Sequence, residues 1–340
     1  MGGSACHTMA MPLPLSVLDL APVPSGTAPS EAIRRTVDLA QLAERLGYVR
    51  YWFAEHHGMP SVASSAPEIL IGHVANATKR LRVGSGGIML PNHTALKVAE
   101  LFRTLAALHP GRIDLGLGRA PGSDHNASRA LRASDGSNFT AQLAELLAFC
   151  GQAEFPAGHP FGKVVAVPGD VPLPPIWILG SSGASAQMAG QAGMGYSFAS
   201  HFSEAPAGPA FNAYRDAFEP SEQFPRPHAI LGVAVVCADT AQEADLLAST
   251  MDLAWLRIRR GEFLPLPSPQ EAQAYPYDET ERQVVRESRR RAVIGDPAQV
   301  KARIEQMARD SGADEVMLVS NLHGHAERLR SYELVAGVFG

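Results

Sequence analysis

Cysteine is scarce in this chain. Its 340 residues hold only Cys6, Cys150 and Cys237, far apart and odd in number. No CxxC pair or zinc spacing can be built from them, which excludes a disulfide scaffold and fits a reducing compartment. Positive charge is also in short supply. Lys and Arg number 29 against 34 Asp and Glu, a net charge of −5. Without a basic excess the chain is poorly equipped to neutralise nucleic-acid phosphates. The one local basic run, Arg289-Arg290-Arg291, reads as a solvated helix face. Apolar runs never reach the ~18 residues that span a bilayer. The opening MGGSACHTMAMPLPL lacks a charged segment leading into an apolar core. It does not read as a signal peptide, residues 1–12 read as a flexible tail, and the expected location is the cytoplasm.

What the chain does have is a globular composition, 46% hydrophobic and 19% charged. Apolar strand patterns alternate with amphipathic helix patterns. Strands are expected at 15–20, 48–54, 81–90, 113–117, 175–179, 195–199, 229–237 and 315–320. The first helix is expected to start at Pro29, with Ser30 as its N-cap. A later one is capped at Asp296 and stopped by Gly312. Residues 120–138 read as a loop. Eight strands separated by helices predict a (β/α)8 TIM barrel of the α/β class, a single domain over 13–340. A doubly wound sheet is the alternative. Residues 261–291, rich in Pro, Glu, Gln and Arg, interrupt the rhythm before the last βα unit. Such an insertion suits a mobile lid or binding loop.

A barrel builds its site from the loops that follow its strands. Four segments qualify. Tyr51-Trp52-Phe53-Ala54-Glu55-His56-His57 runs from buried strand into a carboxylate and two imidazoles, groups suited to acid–base work. Strand alternation would send His56 to the side opposite Glu55 and His57. These groups could instead only hydrogen-bond strand ends. A metal centre needs three or four convergent ligands, and His73, His93, His109, His201 and His323 show no tight spacing. Gly84-Ser85-Gly86-Gly87 is too glycine-rich for a plain strand and suits close approach to a ligand, or a bulge. Arg119, in GLGRAPG, suits a bidentate phosphate contact or a rim salt bridge; the spacing is a poor dinucleotide fingerprint. Gly180-Ser181-Ser182-Gly183-Ala184-Ser185 leads a strand into a helix N-terminus, which suits a phosphate monoester or a serine N-cap.

Together, AERLGYVRYWFAEHH (43–57), RVGSGGIMLPNH (82–93), GRIDLGLGRAPGSD (111–124) and the serine loop resemble the bacterial luciferase-like flavin monooxygenases, specifically their single-type, uncharacterised members. Order and spacing match from about Leu13 to Val335. The resemblance implies a barrel with FMN at the carboxy-terminal rim. It matches Glu55 and His56 to the family's catalytic pair, with Glu55 orienting His56. It puts a non-prolyl cis peptide at Gly86-Gly87. It matches Arg119, either Arg129 or Arg132, and Ser181, Ser182, Gly183 and Ser185 to cofactor contacts. Gly118 stands where luciferase proper has a reactive cysteine. The implied activity is a monooxygenase using O2 and a small organic substrate, with FMNH2 from a separate NAD(P)H:flavin reductase and a homodimeric state. Within the superfamily the alternatives are F420-dependent hydride transfer and non-catalytic flavin binding.

Overall fold

A computed structural model describes residues 13–120 and 122–340; the expected tail over 1–12 lies outside the described residues. In chain order the elements are β1 (Leu15–Asp19), α1 (Pro29–Arg45), β2 (Arg50–Phe53), α2 (Pro67–Ala77), β3 (Arg82–Ser85), β4 (Ile88–Met89) and α3 (Ala95–Leu108). They continue with β5 (Ile113–Gly118), α4 (His125–Leu131), α5 (Phe139–Phe149), β6 (Ile176–Gly180), α6 (Gly183–Gln191), β7 (Gly195–Ala199) and α7 (Ala207–Asp216). The last third holds β8 (Ala229–Cys237), α8 (Ala241–Arg259), α9 (Pro269–Ala274), α10 (Glu279–Arg289), β9 (Ala292–Gly295), α11 (Pro297–Ser311), β10 (Glu315–Val319) and α12 (His325–Phe339).

All pairings between these strands are parallel, and β10 bonds to both β1 and β8, so the sheet closes on itself. This is the expected TIM barrel and not an open doubly wound sheet. β9 stands outside the ring. It pairs with the far half of β8, Ala234 to Cys237, beyond the stretch that β7 occupies. No strand was expected there, because four residues after a polar segment carry little pattern.

Alternation sorts the side chains of each strand. In β2, Tyr51 and Phe53 pack outward with the helices, while Trp52 and then Ala54 join Leu18, Trp177, Ile230, Ala234 and Met317 inside the barrel. Burying a large side chain of this kind stabilises by about 1.5–3 kcal/mol. The barrel floor holds charge as well. Buried Arg50 bonds Asp114 at 2.9 Å and Glu315 at 2.8 Å, and Arg82 holds Asp114 from the other side.

Several local expectations need correction. The N-cap of α1 is Ala28, not Ser30, and no side chain caps it. Pro29 takes the first turn, where its missing N–H costs nothing. The 81–90 strand is broken at Gly86-Gly87 into β3 and β4. The 120–138 loop contains α4, capped by the Asp124 carboxylate but with no buried residue. A helix without an apolar stripe leaves no periodic signal. Asp296 and Gly312 do cap α11 as expected.

The 261–291 segment contains α9 and α10. They are held to α8 by Arg257–Glu271 at 2.7 Å, Arg260 with Glu281, and Arg289 with Asp252 at 2.6 Å. Arg289 is thus an ion-pairing residue, not a merely solvated one. Leu266 bonds the β1–α1 loop through Ser25 N–H and Val23 C=O, at 2.8 and 2.9 Å.

Candidate active site at the carboxy-terminal mouth

Parallel strands deliver all their carboxy-terminal ends to one face of the barrel. The candidate residues follow β2, β3–β4, β5 and β6, which are consecutive neighbours in the ring. The pattern in the sequence placed them one by one; closure of the sheet makes them one arc.

Glu55 lies one residue past Ala54, so it faces away from the barrel interior. It is fully buried. Its carboxylate accepts from Met89 N–H at 2.8 Å, Asn92 Nδ2 at 2.8 Å, His57 Nε2 at 2.8 Å and His93 Nε2 at 3.0 Å. Burial alone would raise its pKa, but His93 by hydrogen bond and charge, then Asn92 and His57, hold it below the ordinary carboxylate value. Burial also opposes the charged form of His93, yet Glu55 raises its pKa above the ordinary value. Glu55 is therefore a clamp that ties the end of β2 to the segment after β4. His93 was considered in sequence only as a metal ligand, and its part in this clamp was missed. No group of three or more metal-ligating side chains occurs among the described residues.

His56 faces the other way. Its backbone N–H donates to Ser64 C=O at 3.0 Å, and its Nδ1 donates to Gly122 C=O at 3.0 Å. Gly122, not Glu55, orients this ring, which corrects the expected pairing. The reason is the period of two along the strand: Glu55 and His57 share one side, His56 the other. Gly122 adopts φ +65°, and a Cβ there would lie 2.6 Å from the Glu55 carbonyl oxygen, so only glycine lets the β5 loop come this close. With Nδ1 as donor, the neutral ring keeps a lone pair on Nε2. Burial lowers the His56 pKa, against the Gly122 carbonyl and Glu55.

Between His56 and β5 the chain crosses a cis peptide at Gly86-Gly87. Side chains have no room there. A Cβ on Gly86 would meet Leu18 at 2.7 Å, and one on Gly87 the Gly116 carbonyl oxygen at 2.8 Å. Ser85 Oγ donates to Gly116 C=O at 2.8 Å and accepts from Gly116 N–H at 3.0 Å, joining β3 to β5 beneath the break. At Gly118 a Cβ would lie 2.7 Å from Met89 Sδ, so a side chain there would have to displace the end of the Met89 side chain.

Strands β5 and β6 leave the barrel in register, Gly118 beside Leu179. Arg119 follows β5 directly and Ser181 follows β6. Arg119, Arg129 and Arg132 are all exposed, and no hydrogen bond or ion pair holds their guanidinium groups among the described residues. Arg132 ends α4 in the left-handed region, φ 57°. Ser182 is the N-cap of α6, but no side chain caps the helix. Its first N–H groups remain available beside Gly183, whose Cβ position is open space. Ser185 is committed elsewhere, donating to Ser182 C=O at 2.9 Å and lying 3.2 Å from Tyr196 OH. Free helix N–H groups after β6 and the unpaired Arg119 guanidinium after the neighbouring β5 make a setting for a phosphate monoester.

Residues 13–315 match the family model described as luciferase-like monooxygenase. The chain is 46% identical over 327 residues to YvbT of Bacillus subtilis (strain 168), covering 96% of each. It is 42% identical over 326 residues to a luciferase-like monooxygenase of Escherichia coli (strain K12), covering 95% of this chain and 96% of that protein. Among solved structures, apo-MsnO8 superposes with a TM-score of 0.87 at 39% identity, over 96% of this chain and 97% of that one.

Proposed function

Because this chain belongs to the luciferase-like monooxygenase family, we propose that it is an FMN-dependent member that receives FMNH2 from a separate NAD(P)H:flavin reductase and oxygenates a small organic substrate with O2. The observation that carries the flavin reading is the uncapped N-terminus of α6 rising beside Arg119, on neighbouring strands in register. A phosphate monoester supplies the acceptors that this cradle lacks. Ser181, Ser182, Gly183 and Arg119 would hold it, joined by Arg129 or Arg132 from α4. Ser185 supports the loop through Ser182 and Tyr196. The glycine surface at Gly86 and Gly87 would lie against a flat ring system.

Bound FMN would supply the redox chemistry with O2. The chain's own part is positioning, exclusion of water and proton handling. Leu18, Trp52, Ala54 and Leu179 form an apolar floor beneath the mouth. His56 presents Nε2 as a proton acceptor, and the ring is neutral at physiological pH because burial lowers its pKa. Glu55 contributes by fixing the Met89–His93 segment beside it. The insertion over 261–291 would serve as a lid, with Leu266 as its contact to the β1–α1 loop. We place the enzyme in the cytoplasm and as a homodimer. Exposed Ile69, Leu108, Phe161 and Val165 would be covered by a second copy.

Absorbance titration separates the cofactors. FMN is expected to bind stoichiometrically and F420 weakly; tight binding of F420 alone would assign hydride transfer instead. A reductase-coupled product screen under 18O-labelled oxygen then tests the reaction. Binding of FMN without substrate-dependent oxygen consumption would leave a flavin-binding protein.

A further inference from the structure

A second histidine stands across the mouth from His56. His201 follows β7, the fourth strand after β2 in the ring order β2-β3-β5-β6-β7, and so lies on the opposite wall. Its backbone N–H donates to Gly232 C=O at 3.1 Å. Its ring lies against β8, where a Cβ on Gly232 would come within 3.1 Å of Nδ1. Phe202 supports it edge-on, with ring centroids 4.8 Å apart. The Nδ1 atom is buried without a hydrogen-bond partner, and no partner holds Nε2 among the described residues. Burial pushes the ring's pKa down to about 4, against the Gly232 carbonyl, and nearby His56 acts in the same direction. The imidazole is thus neutral near pH 7. Nδ1 is buried against β8, so Nε2 is the nitrogen a ligand can reach, and with the ring proton on Nδ1 its lone pair is the acceptor.

We propose that His201 is the substrate-side residue of the mouth, accepting a hydrogen bond at Nε2 from a hydroxyl or N–H group of the organic substrate. This rests on the flavin reading above, in which the cofactor occupies the arc from β2 to β6 and leaves the β7–β8 side free. The assignment deepens that reading by naming a donor-bearing substrate class. A substrate group left unpaired against such a nitrogen loses about one hydrogen bond, roughly tenfold in affinity.

Diethyl pyrocarbonate, which acylates accessible neutral imidazole, tests this on the full chain with peptide mapping by mass spectrometry. Saturating FMN is expected to slow modification of His56 about tenfold or more and that of His201 less than about twofold. In the FMN-saturated protein, benzyl alcohol should then slow His201 modification at least about threefold more than toluene at equal thermodynamic activity. His201→Phe should bind FMN within about twofold of the parent, because the residue does not touch the flavin. Equal protection of both histidines by FMN would overturn the assignment alone, as would an unreactive His201 in the free protein or equal effects of the two probes. Failure of FMN to bind, or to protect His56, would overturn the flavin reading and this assignment with it.

Discussion

Replacing Glu55 by glutamine separates a clamp from a proton carrier. The amide keeps one acceptor oxygen but turns the other position into a donor. That donor would face Met89 N–H or the Asn92 amide, both at 2.8 Å in the parent protein. The remaining bonds from His57 and His93 lose their charge assistance. Charge-assisted bonds exceed neutral ones by about 1 kcal/mol each, and a mispaired buried donor costs about 1–3 kcal/mol. The two histidines are partly exposed, which reduces their share. The expected loss is about 3 kcal/mol of unfolding free energy, read from urea denaturation followed by circular dichroism. Its pH dependence has a definite sign. Glu55 has a lowered pKa in the fold, so its contribution is present above its ordinary value of 4.5 and is lost as pH falls through the folded value. His93 has a raised pKa, so its contribution is present below its ordinary value of 6.5 and is lost as pH rises through the folded value. The penalty of Glu55→Gln should therefore peak between pH 4.5 and 6.5. A variant within about 0.5 kcal/mol of the parent at pH 5.5 that still loses turnover would refute the clamp and return Glu55 to the chemistry.

Arg119→Ala should weaken FMN about 10- to 100-fold in fluorescence titration, with a shallower salt dependence than the parent, since one charge-assisted phosphate contact is lost; unchanged affinity would place the phosphate elsewhere. His56→Asn should leave the FMN dissociation constant within about threefold while product formed per FMNH2 falls about 100-fold or more, the range of a lost general base. Arg50→Ala removes the partner that Asp114 and Glu315 share in the barrel floor, leaving Asp114 to Arg82 and Glu315 to His228, and should destabilise by about 3 kcal/mol, measured by urea unfolding at neutral pH. Burial would raise both carboxyl pKa values, but Arg50 chiefly holds them low, so the parent's stability should fall as pH drops below the ordinary carboxylate values. Gly116→Ala would put a Cβ 2.0 Å from the Ser85 carbonyl oxygen and is expected to yield little folded protein in expression trials.

Much of the barrel was legible because its signals are local. Strand β8 carries an unbroken apolar pattern, and its bounds match the expectation. The paired glycines marked a place where side chains have no room, and a non-prolyl cis bond stands there. Where the signal was weak the elements were lost: α4 has no buried stripe, and β9 has only four residues. Ser30 looked like a cap because its type and position suit one, but the N-cap is Ala28, two residues earlier, and Pro29 already lies in the helix.

The sequence by itself determined the strand order, the family resemblance, and which residues stand at strand ends, because periodicity and chain order are local properties. It also set the alternation that puts Glu55 and His56 on opposite sides. Only the tertiary structure decided what each then meets. His93 and Asn92 reach Glu55 from 38 and 37 residues away, Gly122 reaches His56 from 66, and His201 faces His56 from across a closed ring. Such partners are fixed by barrel closure and by loops packing where glycine leaves space, and no local pattern encodes them.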